Sequence, residues 1–367
     1  MLLTFSKPHT ALFFIAFCFW NAAPVAAQKG AAKHPDYKKE LVQLDKAITR
    51  HFFDRASGNY KEKVERGKNE NEYSYLWPLC ALVQAGNELE SLGLKKGALQ
   101  HTLHVIERYY APEPPAPGYA AYIPALKKEP RFYDDNQWIG IALLDAYQRT
   151  KNTAYLEKGK AIYRFMMTGF DSLSGGGLYW QEGSDSSKNT CSNGPGILLA
   201  LQLYKATKAQ HYLDTALLLY AWTNEKLQAP SHLYYDNINP HTGVVDKRMY
   251  SYNTGTMLQA NVYLYEITKN EAYLDEATTI ADSAAAYFLG ARKFRDTYWF
   301  NAVLLRAYQH LLKYNANSSY IEAFKKCTDA ALQQDKNKLG LMGKREPLDL
   351  VSQGGMLEIL ARLVQLK

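Results

Sequence analysis

Apolar positions recur with helical spacing along most of this 367-residue chain. Between 36 and 54, Tyr37, Leu41, Leu44, Ile48 and Phe52 fall three or four residues apart, which places them on one face of a helix. The same reading predicts helices over 72–92, 94–110, 136–149, 154–168, 193–206, 211–226, 253–267, 271–289, 297–314, 319–332 and 353–364. Taken in order, the twelve segments make six pairs. In each pair the second segment is the more apolar, as a helix enclosed by other helices must be.

A short repeat marks junctions between these segments. Residues 150–157 recur at 207–214 and 268–275, and in degenerate form at 317–322, carrying Tyr155, Tyr212, Tyr273 and Tyr320. Each copy joins a very apolar helix to an amphipathic one. Repeated helix pairs stack their faces on one another, as an open solenoid or a closed ring. With six apolar second helices to place inside, the expected fold is all-α, an (α/α)6 barrel of six helical hairpins.

The first residues read differently. Lys7 precedes an apolar stretch over 11–20, and Val25 and Ala27 fit the small-residue pattern before a cleavage site. Residues 1–27 are therefore expected to be an export signal, and 28–367 a single (α/α)6 domain in the periplasm or outside the cell. The apolar stretch is too short for a permanent span, and no later segment is apolar enough to be one. Bulky Phe17 before Cys18 argues against lipoprotein anchoring.

Without Lys7, 42 basic side chains face 36 acidic ones, and they are scattered. Nucleic acid is not the expected partner. Cys80, Cys191 and Cys327 lie far apart, so no disulfide scaffold is expected. No Cys or His cluster has metal-ligand spacing, and neither a metal nor a cofactor is expected. A monomer is expected. The 28 Tyr and 6 Trp suit a polar, ring-shaped ligand as well as a helical core.

The candidate chemistry sits in the run Phe132-Tyr133-Asp134-Asp135-Asn136-Gln137-Trp138. An Asp or Asn before an apolar run signals a helix N-cap. The carboxylate pair is thus expected where a loop enters a helix, an end that favours anions. Polar and aromatic residues recur at the other inner-helix starts: Tyr75 and Trp77, Asn193, Tyr252 and Asn253, Tyr298 and Trp299, Gln353. The long loops 111–130, 171–191, 229–251 and 336–351 lead into those same ends, so one end of the barrel is expected to carry the site. Gly175, Gly176 and Gly177 are not followed by the Gly-Lys-Ser/Thr of a phosphate loop; they are expected to present Tyr179 and Trp180 to a groove. Asn193 and Asn253 are expected to cap helices, a role compatible with binding sugar hydroxyls.

Two adjacent carboxylates disfavour double ionisation, so one stays protonated more readily than the other. That asymmetry is what a retaining glycosidase uses, with two carboxyl groups roughly 5–5.5 Å apart. A glycan-binding protein on the same barrel has no need of such a pair. An epimerase or unsaturated-uronyl hydrolase of this fold remains open, although epimerases lean on histidine pairs that the inner-helix starts lack.

Phe132–Trp138 resembles the catalytic signature of glycoside hydrolase family 76, the endo-α-1,6-mannanases. The runs 175–180, 191–195 and 250–256 resemble that family too, in the same order. The resemblance implies an (α/α)6 barrel and retaining hydrolysis of α-1,6-mannan backbones such as that of fungal cell-wall mannan. The partner is then an α-mannan polysaccharide or oligosaccharide. It implies Asp134 as nucleophile and Asp135 as general acid/base. Candidate substrate contacts are Tyr133, Asn136, Trp138, Tyr179, Trp180, Asn193, Tyr250, Tyr252, Asn253 and Trp299.

Overall fold

The computed structural model describes residues 34–64 and 71–366. The export signal expected over 1–27 lies outside them. The described residues hold twelve α-helices. In chain order these are α1 Tyr37–His51, α2 Leu76–Ser91, α3 Ala98–Ile106, α4 Tyr133–Thr150, α5 Thr153–Met167 and α6 Thr190–Thr207. There follow α7 Gln210–Leu227, α8 Ser251–Thr268, α9 Glu271–Ala284, α10 Tyr298–Leu311, α11 Ser319–Gln334 and α12 Leu350–Gln365.

The even-numbered helices form a closed ring. Each packs against the even-numbered helix on either side, and α12 packs against α2. They are buried on every face; in α6 burial runs unbroken from Thr190 to Leu203. The odd-numbered helices lie outside and bury one stripe each, as Leu41, Leu44 and Ile48 do in α1. This is the expected (α/α)6 barrel. The pairing is shifted by one position, however. The tight hairpins run from an inner helix to the outer helix after it, and α1 packs on α12.

The repeat explains those tight turns. Thr150, Thr207 and Thr268 end inner helices, each donating its hydroxyl to a carbonyl one turn back. Lys151, Lys208 and Lys269 follow with φ of 59°, 62° and 61°, the left-handed conformation that closes a helix. Each ammonium lies over a tyrosine ring of the helix just ended, Tyr147, Tyr204 or Tyr265. Asn152 and Asn270 then cap the next helix through the amides of Ala154 and Ala272.

Small residues let the inner helices approach closely. A Cβ on Gly194 would lie 2.1 Å from the Thr256 hydroxyl oxygen, and one on Gly355 would lie 2.2 Å from the Trp299 backbone nitrogen. Strands are short and sit at one end. The largest sheet joins Lys188–Asn189, Tyr235–Ile238 and Val245–Met249. No helix among the described residues is long and apolar enough to cross a membrane.

Candidate active site

α4 begins at Tyr133, and its N-cap is Phe132, which makes no side-chain cap bond. Asp134 and Asp135 are therefore inside the first turn, not at the cap position the sequence suggested. Their charge still meets the positive end of the helix. Asn189, not Asn193, caps α6, and Tyr250, not Asn253, caps α8.

The amides one turn into the inner helices serve the loops. The Asn136 side chain accepts from the Tyr119 amide at 2.7 Å and donates to the carbonyls of Tyr119 and Phe132 at 2.9 and 2.8 Å. Asn193 makes the same three bonds to Leu178 and Asn189. Gln353 makes them to Met342 and Asp349. Asn301 donates to the carbonyls of Asp296 and Thr297. Three of the four long loops, 111–130, 171–191 and 336–351, are thus fastened to the helices they enter, as is the segment before α10.

What these loops surround is a cavity of about 700 Å³ at the N-terminal ends of the inner helices. Asp134 and Asp135 line it together with Tyr75, Trp77, Phe132, Trp138, Trp180, Tyr250, Tyr252, Trp299 and Phe300. A band of aromatic rings runs from Trp77 and Trp138 through Trp299 and Phe300 to Tyr252 and Tyr250. Trp299 is 5.5 Å from Trp138, edge to face, and 5.8 Å from Trp77. Tyr252 stacks on Phe300 at 4.0 Å. Phe132 and Trp180 pair at 4.7 Å. Trp138 and Trp299 are 2% and 3% exposed and form a floor, whereas Trp180 is 40% exposed and offers a face.

The two carboxylates sit in unequal surroundings. Asp135 is the more buried, and burial followed by repulsion from Asp134 pushes its pKa well above the usual carboxylate range. Burial also raises Asp134, but the facing Cys191 thiol, nearby backbone amides and the Trp180 indole N–H oppose the rise. One Asp134 oxygen, Oδ1, is buried without a protein hydrogen-bond partner. The pair titrates as a unit, and Asp135 is the member that holds its proton longer.

Of the sequence candidates, Trp138, Trp180, Tyr250, Tyr252 and Trp299 line this cavity with the two aspartates. Tyr133, Asn136, Tyr179, Asn193 and Asn253 are placed outside its lining. The Tyr133 ring packs on Phe165, with its phenol 3.3 Å from the Thr168 hydroxyl. Tyr179 donates to Asp171 at 2.6 Å. Asn136 and Asn193 hold loops, as described, and Asn253 is fully buried.

Sequence reasoning missed Asp236 and Arg248, which line the wall formed by the three-stranded sheet. Asp236 is 8% exposed and its pKa is raised by burial, against the pull of Asn237 and of Arg248, 3.5 Å away. A signal existed: Tyr234-Tyr235-Asp236-Asn237 repeats the order of two aromatics, acid and amide found at 132–136. Among the described residues no group of His, Cys, Asp and Glu could hold a metal ion.

A family model described as Glycosyl hydrolase family 76 matches residues 109–338. A mannan endo-1,6-alpha-mannosidase of Candida glabrata is 29% identical over 184 residues, 46% of this chain and 41% of its own length. A protein of that name from Saccharomyces cerevisiae is 28% identical over 184 residues, again 41% of its length. The chain thus spans less than half of these curated relatives. Among solved structures, a family 76 α-mannanase of Bacteroides thetaiotaomicron superposes with a TM-score of 0.83 at 25% identity, covering 90% of this chain and 97% of that one. An α-1,6-mannanase of Salegentibacter, made inactive by changing two neighbouring aspartates to asparagine and bound to α-1,6-mannotriose, gives a TM-score of 0.76 at 22% identity. That match covers 90% of this chain and 100% of the other.

Proposed function

The chain belongs to glycosyl hydrolase family 76, and on that premise we propose that it hydrolyses α-1,6-mannosidic bonds within mannan backbones with retention of configuration. The observation that carries this reading is the Asp134–Asp135 pair in one aromatic cavity, with Asp135 holding its proton the longer. Asp134 attacks the anomeric carbon. Asp135 gives its proton to the departing glycosidic oxygen as the C–O bond breaks, leaving a glycosyl ester on Asp134. Asp135, now a carboxylate, takes a proton from water. The water oxygen attacks the anomeric carbon and frees Asp134. Trp180 supplies an open face on which the C–H side of a sugar ring stacks. The residues provide general acid, base and nucleophile without a cofactor. Residues 1–27 direct the chain to the periplasm or the exterior, where such a polysaccharide is met.

The test follows the anomeric configuration of the first product released from α-1,6-mannotetraose, by proton NMR. The α-anomer is expected first, and a β-anomer overturns the retaining mechanism. Asp135→Ala is expected to accept an activated α-mannoside, stall, and turn over again with azide to give a retained glycosyl azide. Asp134→Ala is expected to form no glycosyl-enzyme. Absence of cleavage of α-1,6-mannan by the intact protein overturns the assignment as a whole.

A further inference from the structure

Among the described residues three cysteines are buried. Two are committed to the backbone. Cys80 donates to the carbonyl of Asp135 at 3.3 Å, and Cys327 to that of Leu289 at 3.8 Å. Cys191 differs. It is the second residue of α6, and it lines the cavity with Asp134 of α4 and Tyr252 of α8. These helices are neighbours in the ring, so three first turns converge on one point. There the Cys191 side chain shares the cavity wall with the Asp134 carboxylate and the Tyr252 phenol, and both act on the thiol's pKa. Tyr252 is itself held by its stack on Phe300.

We propose that Cys191 is a positioning residue for Asp134: its thiol is the donor that fixes the orientation of this carboxylate in the cavity and distinguishes it from Asp135. The inference rests on the reading of Asp134 as nucleophile. Three features support it. Burial pushes both the Cys191 thiol and the Tyr252 phenol well above their usual pKa values, so both remain donors at neutral pH. In the ring α6 stands between α4 and α8, so the second residue of its first turn, Cys191, is placed between Asp134 and Tyr252, the second residues of theirs. Asp135 has no such neighbour; its principal charged neighbour is Asp134. A weak S–H donor suits the task. It stabilises a carboxylate that must stay charged without binding it so strongly that it ceases to be a nucleophile.

The test compares Cys191→Ala, which removes the donor, with Cys191→Ser, which keeps one. A hydrogen bond from a weak S–H donor to a carboxylate contributes about 1.4 kcal/mol, or roughly tenfold in rate. Cys191→Ala is expected to lose that much kcat/KM on an activated α-mannoside, mostly in kcat. Its acid limb is expected to move to higher pH, because Asp134 then ionises less readily. Cys191→Ser is expected to bring the limb back to the wild-type position or below it. A second arm needs no turnover. Methyl methanethiosulfonate is expected to label Cys191 slowly, and α-1,6-mannotriose to slow it further. Cys80 and Cys327, which do not line this cavity, serve as references in the mass spectrum. An active wild type matched by both variants in kcat/KM and acid limb overturns the inference and leaves the hydrolase reading standing. So does labelling that mannotriose does not affect. A wild type inert on α-1,6-mannan overturns both.

Discussion

Arg131 and Glu182 form a two-pronged ion pair, Nε to Oε2 at 2.6 Å and Nη2 to Oε1 at 2.5 Å. The same guanidinium donates to the carbonyls of Ala111, Glu113, Pro114 and Ala116 and lies over the Phe165 ring at 4.9 Å. One side chain thereby ties the proline-rich loop and the glycine loop to the chain just ahead of the α4 N-cap.

That arrangement needs a planar fork, so Lys is no substitute. Arg131→Lys and Arg131→Ala are both expected to lose about 3–5 kcal/mol of stability, the cost of leaving Glu182 and four carbonyls without their donor. Denaturant titration reads the loss. Limited proteolysis is expected to cut first between residues 111 and 118.

The buried aspartate pair is expected to cost stability. Both carboxyl pKa values are raised by burial, so the folded protein holds these protons more tightly than the unfolded chain. Below the unfolded value, near pH 4, both states are protonated and nothing is lost. As pH rises from there through the folded values, stability falls. The double change of Asp134 and Asp135 to Asn is expected to abolish activity and to stabilise the protein at pH 7 by about 1–2 kcal/mol. The gain is expected to vanish by about pH 4. Thermal melts across that range check it; equal melting curves at pH 7 count against it.

Lys188 is fully buried, its ammonium held by Asp171 at 2.5 Å and by the carbonyls of Leu173 and Gly176 at 2.7 Å. It fixes the glycine loop, where Gly177 takes a φ of +85° with no room for a Cβ against Trp222. Lys188→Met is expected to cost about 1–3 kcal/mol, since it leaves the Leu173 and Gly176 carbonyls without their donor. Surviving protein is expected to show a higher KM with kcat less affected, because the Trp180 face loses its support while the aspartates keep theirs. Steady-state kinetics on mannotetraose separates the two.

Gly355→Ala pushes a methyl into the Trp299 backbone. Overpacking of this kind costs about 1–3 kcal/mol. Displacement of Trp299 is expected to change tryptophan fluorescence and to weaken mannotriose binding. An unchanged spectrum and affinity show that the ring absorbs the methyl elsewhere.

All twelve helices were legible because each buries a periodic face or is apolar throughout. Their starts were less so. Phe132 caps α4 with no polar side chain, and nothing in its chemistry announces that role. The amides Asn136 and Asn193 were read as sugar ligands because a loop-clamping amide and a hydroxyl-binding one are the same residue type; only the folded loop beside them decides. Tyr179 and Trp180 illustrate a finer limit. They are neighbours on an extended segment, so they point to opposite sides, and a sequence does not say which side holds the cavity. Asp236 and Arg248 reach the site through a long-range sheet that periodicity cannot foresee.

The ring has a seam. It lies where α12 meets α2, and the pairing of Lys63–Val64 with Leu348–Asp349 stitches it. The floor of the cavity crosses it, since Trp77 stands on α2 and Trp299 beside Gly355 of α12. A growing chain carries Asp134 and Asp135 long before it carries α12. Until that final helix docks, the aspartates stand on an open crescent with one wall missing. Contacts between such distant parts of a chain form slowly. Closure of the ring, and with it the floor beneath the two aspartates, waits for the last helix.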